Sequence, residues 1–78
     1  MINDKIYNSK FDLIIKDINT KLGLNLKYEQ PKFKNGIMKL HNNYKIKSYY
    51  EYIDGYFITS EVYDENNKYI GNVVTVTY

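Results

Sequence analysis

The stretch from Tyr44 to Tyr63, YKIKSYYEYIDGYFITSEVY, holds six of the ten tyrosines and folds about a single Asp-Gly pair. Its β-branched and aromatic residues read as two strands, and the Asp-Gly pair as the turn between them. Two registers compete. A two-residue loop of Asp54 and Gly55 sets Ile53 opposite Tyr56, Lys47 beside Val62 and Glu51 beside Ile58, which mixes core and solvent residues. A three-residue loop of Ile53, Asp54 and Gly55, a type I turn closed by Gly55 in the left-handed region, shifts the pairing by one residue. Tyr52, Tyr50, Ser48 and Ile46 then share a face with Tyr56, Ile58, Ser60 and Val62. The other face pairs Glu51 with Phe57, Tyr49 with Thr59, Lys47 with Glu61 and Lys45 with Tyr63, so that one cation meets an anion and another an aromatic ring. A slip of one residue exchanges the faces of a strand, and only the second register leaves one side apolar. We therefore expect a long hairpin with strands at about 44–52 and 56–63.

Upstream, Tyr7, Phe11, Ile14, Ile15, Ile18 and Leu22 recur three and four residues apart, which predicts an amphipathic helix over about 4–22. Asp4 or Ser9 would cap its start, and Gly23 stands where a left-handed glycine ends a helix. Its polar face places Asp12 four residues before Lys16 and Asp17 four before Lys21, the favourable order. The period then changes to two. Leu24, Leu26 and Tyr28 alternate with Asn25, Lys27 and Glu29, predicting a strand at about 24–29 that Gln30 and Pro31 end. In the following loop, QPKFKNG, Phe33 stands between Lys32 and Lys34, and Asn35-Gly36 signals a turn. A short strand at about 37–41 should put Met38 and Leu40 on one face and Lys39 and His41 on the other, before Asn42 and Asn43 turn the chain. Asp64 to Lys68 reads as a polar turn, and 69–77 as the last strand. There Gly71 marks a bulge, after which Val74 and Val76 should point inward. The fold expected is α+β: a single domain, 1–78, with an N-terminal helix packed on a four- to five-stranded antiparallel meander.

A chain of 78 residues buries only about 60–65% of the surface its unfolded form exposes, so its core is thin. No cysteine is present to staple it, which fits a reducing compartment. The opening residues, MINDKIYNSK, contain no apolar run, and no segment reaches membrane-spanning length, so a cytoplasmic location is expected and no membrane. Lys, Asn, Ile and Tyr make up 41 of the residues, all with AT-rich codons, the coding signature of a low-GC bacterium or of a phage or plasmid living in one.

The net charge of +2 conceals a division. Residues 1–20 balance; 21–47 carry seven Lys against Glu29; 48–78 carry Lys68 against five acids. Such asymmetry marks a surface for nucleic acid or for an acidic partner, unless the halves pair their charges within the sheet.

Candidates for chemistry are poor. His41 has no carboxylate at a telling spacing, Ser9 reads as a cap, and Ser48 and Ser60 as small residues on a sheet face. The glycines at 23, 36, 55 and 71 are isolated and build no phosphate loop, and Asp64, Glu65, Asn66 and Asn67 lack the spacing of a calcium loop. No enzyme activity, cofactor or metal is expected. The partner-binding residues predicted are Lys45, Lys47, Tyr49, Phe57 and Tyr63, with Lys27, Lys32, Phe33, Lys34 and Lys39 as a basic patch. The leading expectation is a small binding protein, encoded by a phage or other mobile element, that inhibits a host protein by occluding a surface, in the manner of an anti-CRISPR or another host-takeover protein. A single-stranded nucleic-acid binder using a Lys/Tyr sheet face is the alternative, since such proteins pair cations with stacking rings. A homodimer joined through its tyrosine face is the third.

Overall fold

Helical spacing at the start of the chain is realised as two consecutive helices, α1 (Asp4–Ser9) and α2 (Phe11–Leu22), in place of one. The computed structural model describes residues 4–28, 31–52 and 56–77, with the backbone alone at 50–52 and 56. The break falls at Lys10, whose φ of −107° and ψ of 16° leave the helical range. Its cause is local. The Ser9 hydroxyl donates to the Ile6 carbonyl at 2.9 Å, the same oxygen that accepts from the Lys10 amide at 3.0 Å, and hydroxyls that back-bond in this way bend helices. Neither expected cap acts as one: Ser9 is spent on Ile6, and Asp4 reaches across the molecule to the Asn35 and Gly36 amides at 2.8 and 2.7 Å. Gly23, at φ 66°, does end α2 in the left-handed region.

Four antiparallel strands follow, β1 (Ile37–Lys39), β2 (Lys45–Tyr52), β3 (Tyr56–Tyr63) and β4 (Tyr69–Val76), ordered β1-β2-β3-β4 across one sheet. An α+β arrangement of N-terminal helices on an antiparallel sheet is thus the fold. The central register is the one expected for a three-residue loop, with Ile46 opposite Val62, Lys47 opposite Glu61, Tyr49 opposite Thr59 and Tyr52 opposite Tyr56. The loop itself, 53–55, lies outside the described residues, as do the side chains of Tyr50, Tyr52 and Tyr56, expected on the apolar face.

Tight turns lead into β1 and join the other strands. Asn35 (φ 55°) and Gly36 (φ 76°) both adopt positive φ, and Lys34 and Ile37 exchange backbone hydrogen bonds across them, a two-residue hairpin turn. Glycine is favoured at 36 on a second count, because a Cβ there would crowd the Ser48 carbonyl oxygen at 3.1 Å. Segments 40–44 and 64–68 share one design: the first residue's amide donates to the fifth's carbonyl, the fourth's amide to the first's carbonyl, and the fourth residue, Asn43 or Asn67, is left-handed. Asparagine serves there because it tolerates this backbone.

Two expectations about the sheet are corrected. The predicted strand at 24–29 does not form among its described residues, 24–28. Leu26 is buried as its alternation implied, but its backbone pairs with a side chain: the Leu26 amide donates to Asn19 Oδ1 at 2.8 Å, and Asn19 Nδ2 donates to the Leu26 carbonyl at 3.0 Å. Asn8 holds Phe33 in the same two-point manner, at 2.7 and 3.3 Å. Each helix thus clamps an extended segment with one amide, and the sheet is not extended; Tyr28 is left exposed. The second correction concerns β4. A bulge lies between the pairs Val62–Gly71 and Tyr63–Tyr69, making Ile70 the extra residue, and Gly71 faces inward. A Cβ on Gly71 would meet Leu22 Cδ2 at 3.0 Å, so the bare glycine makes room for the end of α2. Counting by two from Gly71, Val73 and Thr75 are buried, and Val74 and Val76, expected inside, face out.

The core lies between helices and sheet: Tyr7, Ile14, Ile15 and Ile18 from the helices meet Met38, Ile46, Ile58, Val62 and Val73 from the strands, with Phe33 and Leu26 closing the side. Ser48 and Ser60, opposite each other on this inner face, bond through their hydroxyls at 2.9 Å, which satisfies both where they are buried. Among the described residues no helix is long and apolar enough to cross a membrane.

Candidate functional site

With the helices on one side, the sheet's other side is left uncovered by the described residues. Register defines its rows. Lys39, Lys45, Tyr63 and Tyr69 form one row across all four strands; Ile37, Lys47, Glu61 and Asn72 form the next; Tyr49, Thr59 and Val74 a third; Phe57 and Val76 lie beyond. Apolar exposure on this face is large for so small a chain: Ile37 is 43% exposed, Tyr49 38%, Tyr69 51%, Val74 54% and Val76 42%. Exposed apolar side chains gathered on one sheet face make that face the candidate contact surface.

All five residues predicted to bind a partner, Lys45, Lys47, Tyr49, Phe57 and Tyr63, stand on this outer face. Their contacts differ in part from those expected. Lys45 is opposite Tyr63 in register, but its ammonium donates to Asn67 Oδ1 in the β3–β4 turn at 2.7 Å. Lys47 lies over the Tyr49 ring, 5.4 Å from its centroid, a cation–π geometry. Glu61, opposite Lys47, accepts from the Tyr63 hydroxyl at 2.9 Å and, at a longer 3.4 Å, from the Tyr49 hydroxyl. Tyr63 in turn meets Tyr69 edge-on, with ring centroids 5.7 Å apart. Lys47, Tyr49, Glu61, Tyr63 and Tyr69 are therefore one connected group whose rings are held in place by one another and by the two charges.

Two ionisations record these contacts. Lys47 is held above its ordinary value, first by Tyr49, with Glu61 adding to the effect. The Tyr63 phenol is also raised, first by its hydrogen bond to Glu61, then by partial burial and the Glu61 charge, all of which disfavour the phenolate. A raised phenol value means that this contribution to stability is complete below the ordinary tyrosine range and is lost as pH climbs through the raised value. The Tyr63 ring resonances should accordingly titrate above those of an unhindered tyrosine, and Glu61→Gln should bring them back; an unchanged titration in that variant would remove Glu61 as the cause.

The proposed basic patch does not assemble as one surface. Phe33 is buried against the Tyr7 ring, with centroids 5.4 Å apart, so it is core and offers no ring to a ligand. Lys32 lies beside Asn8, Phe11 and Pro31 on the helical side. Lys27 borders an open cleft of about 380 Å³ with Leu26, Leu40, His41 and Asn42. Lys34 is exposed at the start of the Asn35-Gly36 turn. Lys39 joins the outer face, set directly opposite Lys45 in the β1–β2 pairing, and Lys34, bridged antiparallel to the outward Ile37, lies at the margin of the same face.

Sequence reasoning placed Glu61 on this face, opposite Lys47, but missed Ile37, Tyr69, Asn72, Val74 and Val76 as members of it. Most of them follow from the facing of β4, and the signal was present in Gly71: taking the glycine as an inward gap under a helix, and not as a mere irregularity, puts Val74 and Val76 outside. Compared with protein-family models, curated proteins and solved structures, the chain matches none.

Proposed function

We propose that this chain is a non-enzymatic binding protein that covers a surface on another protein with the outer face of its sheet. One observation carries the reading: Tyr49, Tyr69, Ile37, Val74 and Val76 are exposed together on a face that the protein's own helices leave bare. Tyrosines suit that role because they bury a large area with few rotatable bonds, and here Tyr49 and Tyr63 are already fixed by Lys47 and Glu61. Charge narrows the partner. Lys39, Lys45 and Lys47 crowd the β1–β2 half, whereas β4 carries no charge, so the complementary surface is apolar with acidic groups along one border. Occlusion of a host protein by a product of a mobile element is the biological form we propose, supported by the low-GC coding signature and the small size.

Affinity capture from a low-GC bacterial lysate should yield one stoichiometric protein whose purified form binds directly. Tyr69→Ala should weaken that binding about tenfold or more, the behaviour of an exposed aromatic anchor, and Lys45→Glu should slow association. Equal affinity for wild type and Tyr69→Ala would defeat the proposal. A single-stranded nucleic-acid reading draws support from the row Lys39, Lys45, Tyr63 and Tyr69, where cations adjoin rings. Glu61 at the centre of the face and the two bare valines oppose it. Retardation of labelled oligonucleotides that falls steeply with salt would favour it over the protein partner.

A further inference from the structure

The two edges of the sheet are unlike. β1 is three residues long and carries Lys39, a short edge with a charge on it, which is how sheets resist pairing with other chains. β4 is eight residues long, YIGNVVTV, and contains no Lys, Asp, Glu or Pro, in a chain of which 26% is charged. Its one irregularity, the bulge at Ile70, protects only the end near the β3–β4 turn. From Gly71 to Val76 the strand is regular, and Val74 and Val76 are exposed beside its free edge.

We infer that β4 pairs antiparallel with β4 of a second copy of this chain, joining two four-stranded sheets into one of eight strands. The absence of charge selects this occupant. Under two-fold symmetry each side chain of the strand meets one from an identical strand, so a charge near the axis would face its like, and β4 has none. Facing then limits the register. Residues opposed across an antiparallel pair lie on the same face, so the axis passes through a residue and not between two. An axis at Val74 sets Val74 against Val74, Asn72 against Val76 on the outer face, and Val73 against Thr75 on the inner face. All five residues lie in the regular part of the strand. An axis at Val73 would bring the bulged Ile70 opposite Val76, where the ladder is interrupted. The pairing also places the two outer faces side by side on one continuous sheet.

The purified chain alone tests this. Light scattering across a concentration series should show the mass rise from 9.3 kDa toward about twice that value. Val74→Lys and Val74→Glu alter an exposed side chain at the axis; each alone should be monomeric, and an equimolar mixture should restore the dimer, which also shows that both variants fold. Tyr49→Asp, on the outer face but on β2, should leave the dimer intact. A wild type that stays monomeric at its solubility limit overturns the inference, as do dimeric Val74→Lys and Val74→Glu proteins, a mixture that fails to reassociate, or loss of the dimer in Tyr49→Asp. Binding of the outer face to a foreign protein is not read by any of these measurements.

Discussion

Ile58→Ala should lower the free energy of unfolding by about 2–5 kcal/mol, the range for removing a buried isoleucine side chain beyond Cβ. Ile58 lies on β3, between β2 and β4, fully buried on the face under the helices. A domain of this length has a total stability of only about 4–12 kcal/mol, so the loss is a large fraction of the whole. Urea unfolding followed by circular dichroism measures it, with Val74→Ala as the companion. Val74 is on the same sheet but faces out, and at concentrations where the chain is monomeric its truncation should shift stability by no more than about 0.5 kcal/mol. Equal effects at the two positions would mean that the inner and outer faces have been wrongly assigned.

The second large effect belongs to the amide clamps. Asn19→Ala leaves both the amide and the carbonyl of buried Leu26 without their partner, and should cost about 1–3 kcal/mol, the range for unsatisfied buried groups. Asn19→Asp should be no better than Ala. The carboxylate still accepts from the Leu26 amide, but its second oxygen then faces the Leu26 carbonyl, lone pair against lone pair. Hydrogen exchange gives a local readout: the Leu26 amide should be protected in the wild type and exposed in Asn19→Ala, while the β3 amides change only with global stability. A Leu26 amide that stays protected in Asn19→Ala would show that the segment is held by other means.

Both effects bear on how far the chain could be read without coordinates. The β2–β3 register was legible because the alternation of Ile46, Ser48, Ile58, Ser60 and Val62 admits only one pairing that keeps a face apolar. The stripe from Tyr7 to Leu22 was legible for the same reason at helical period. Residues 24–28 were misread because alternation reports only that a segment is extended and buried on one side. It does not say whether the backbone bonds to a strand or, as here, to Asn19. Phe33 was misread because a ring between two lysines in sequence can still turn inward when Asn8 clamps its backbone and Tyr7 packs against it.

The candidate site divides in the same way. Tyr49, Phe57, Tyr63, Lys45 and Lys47 were placed on one face by sequence, because two paired strands fix each other's facing. Tyr69, Val74 and Val76 were not, because the facing of β4 depends on a contact between Gly71 and Leu22 that are 49 positions apart. What the sequence by itself determined is therefore the local periodicities, the turns at Asn35-Gly36, Asn43 and Asn67, and the central hairpin register, all set by interactions between near neighbours or between strands joined by a tight turn. The tertiary structure alone decided where Leu26 and Phe33 send their backbone bonds, which way β4 faces, and that β4 is the long, uncharged edge. The reason is that these depend on packing a helix against distant residues, and steric room and hydrogen-bond partners across the fold leave no period in the chain.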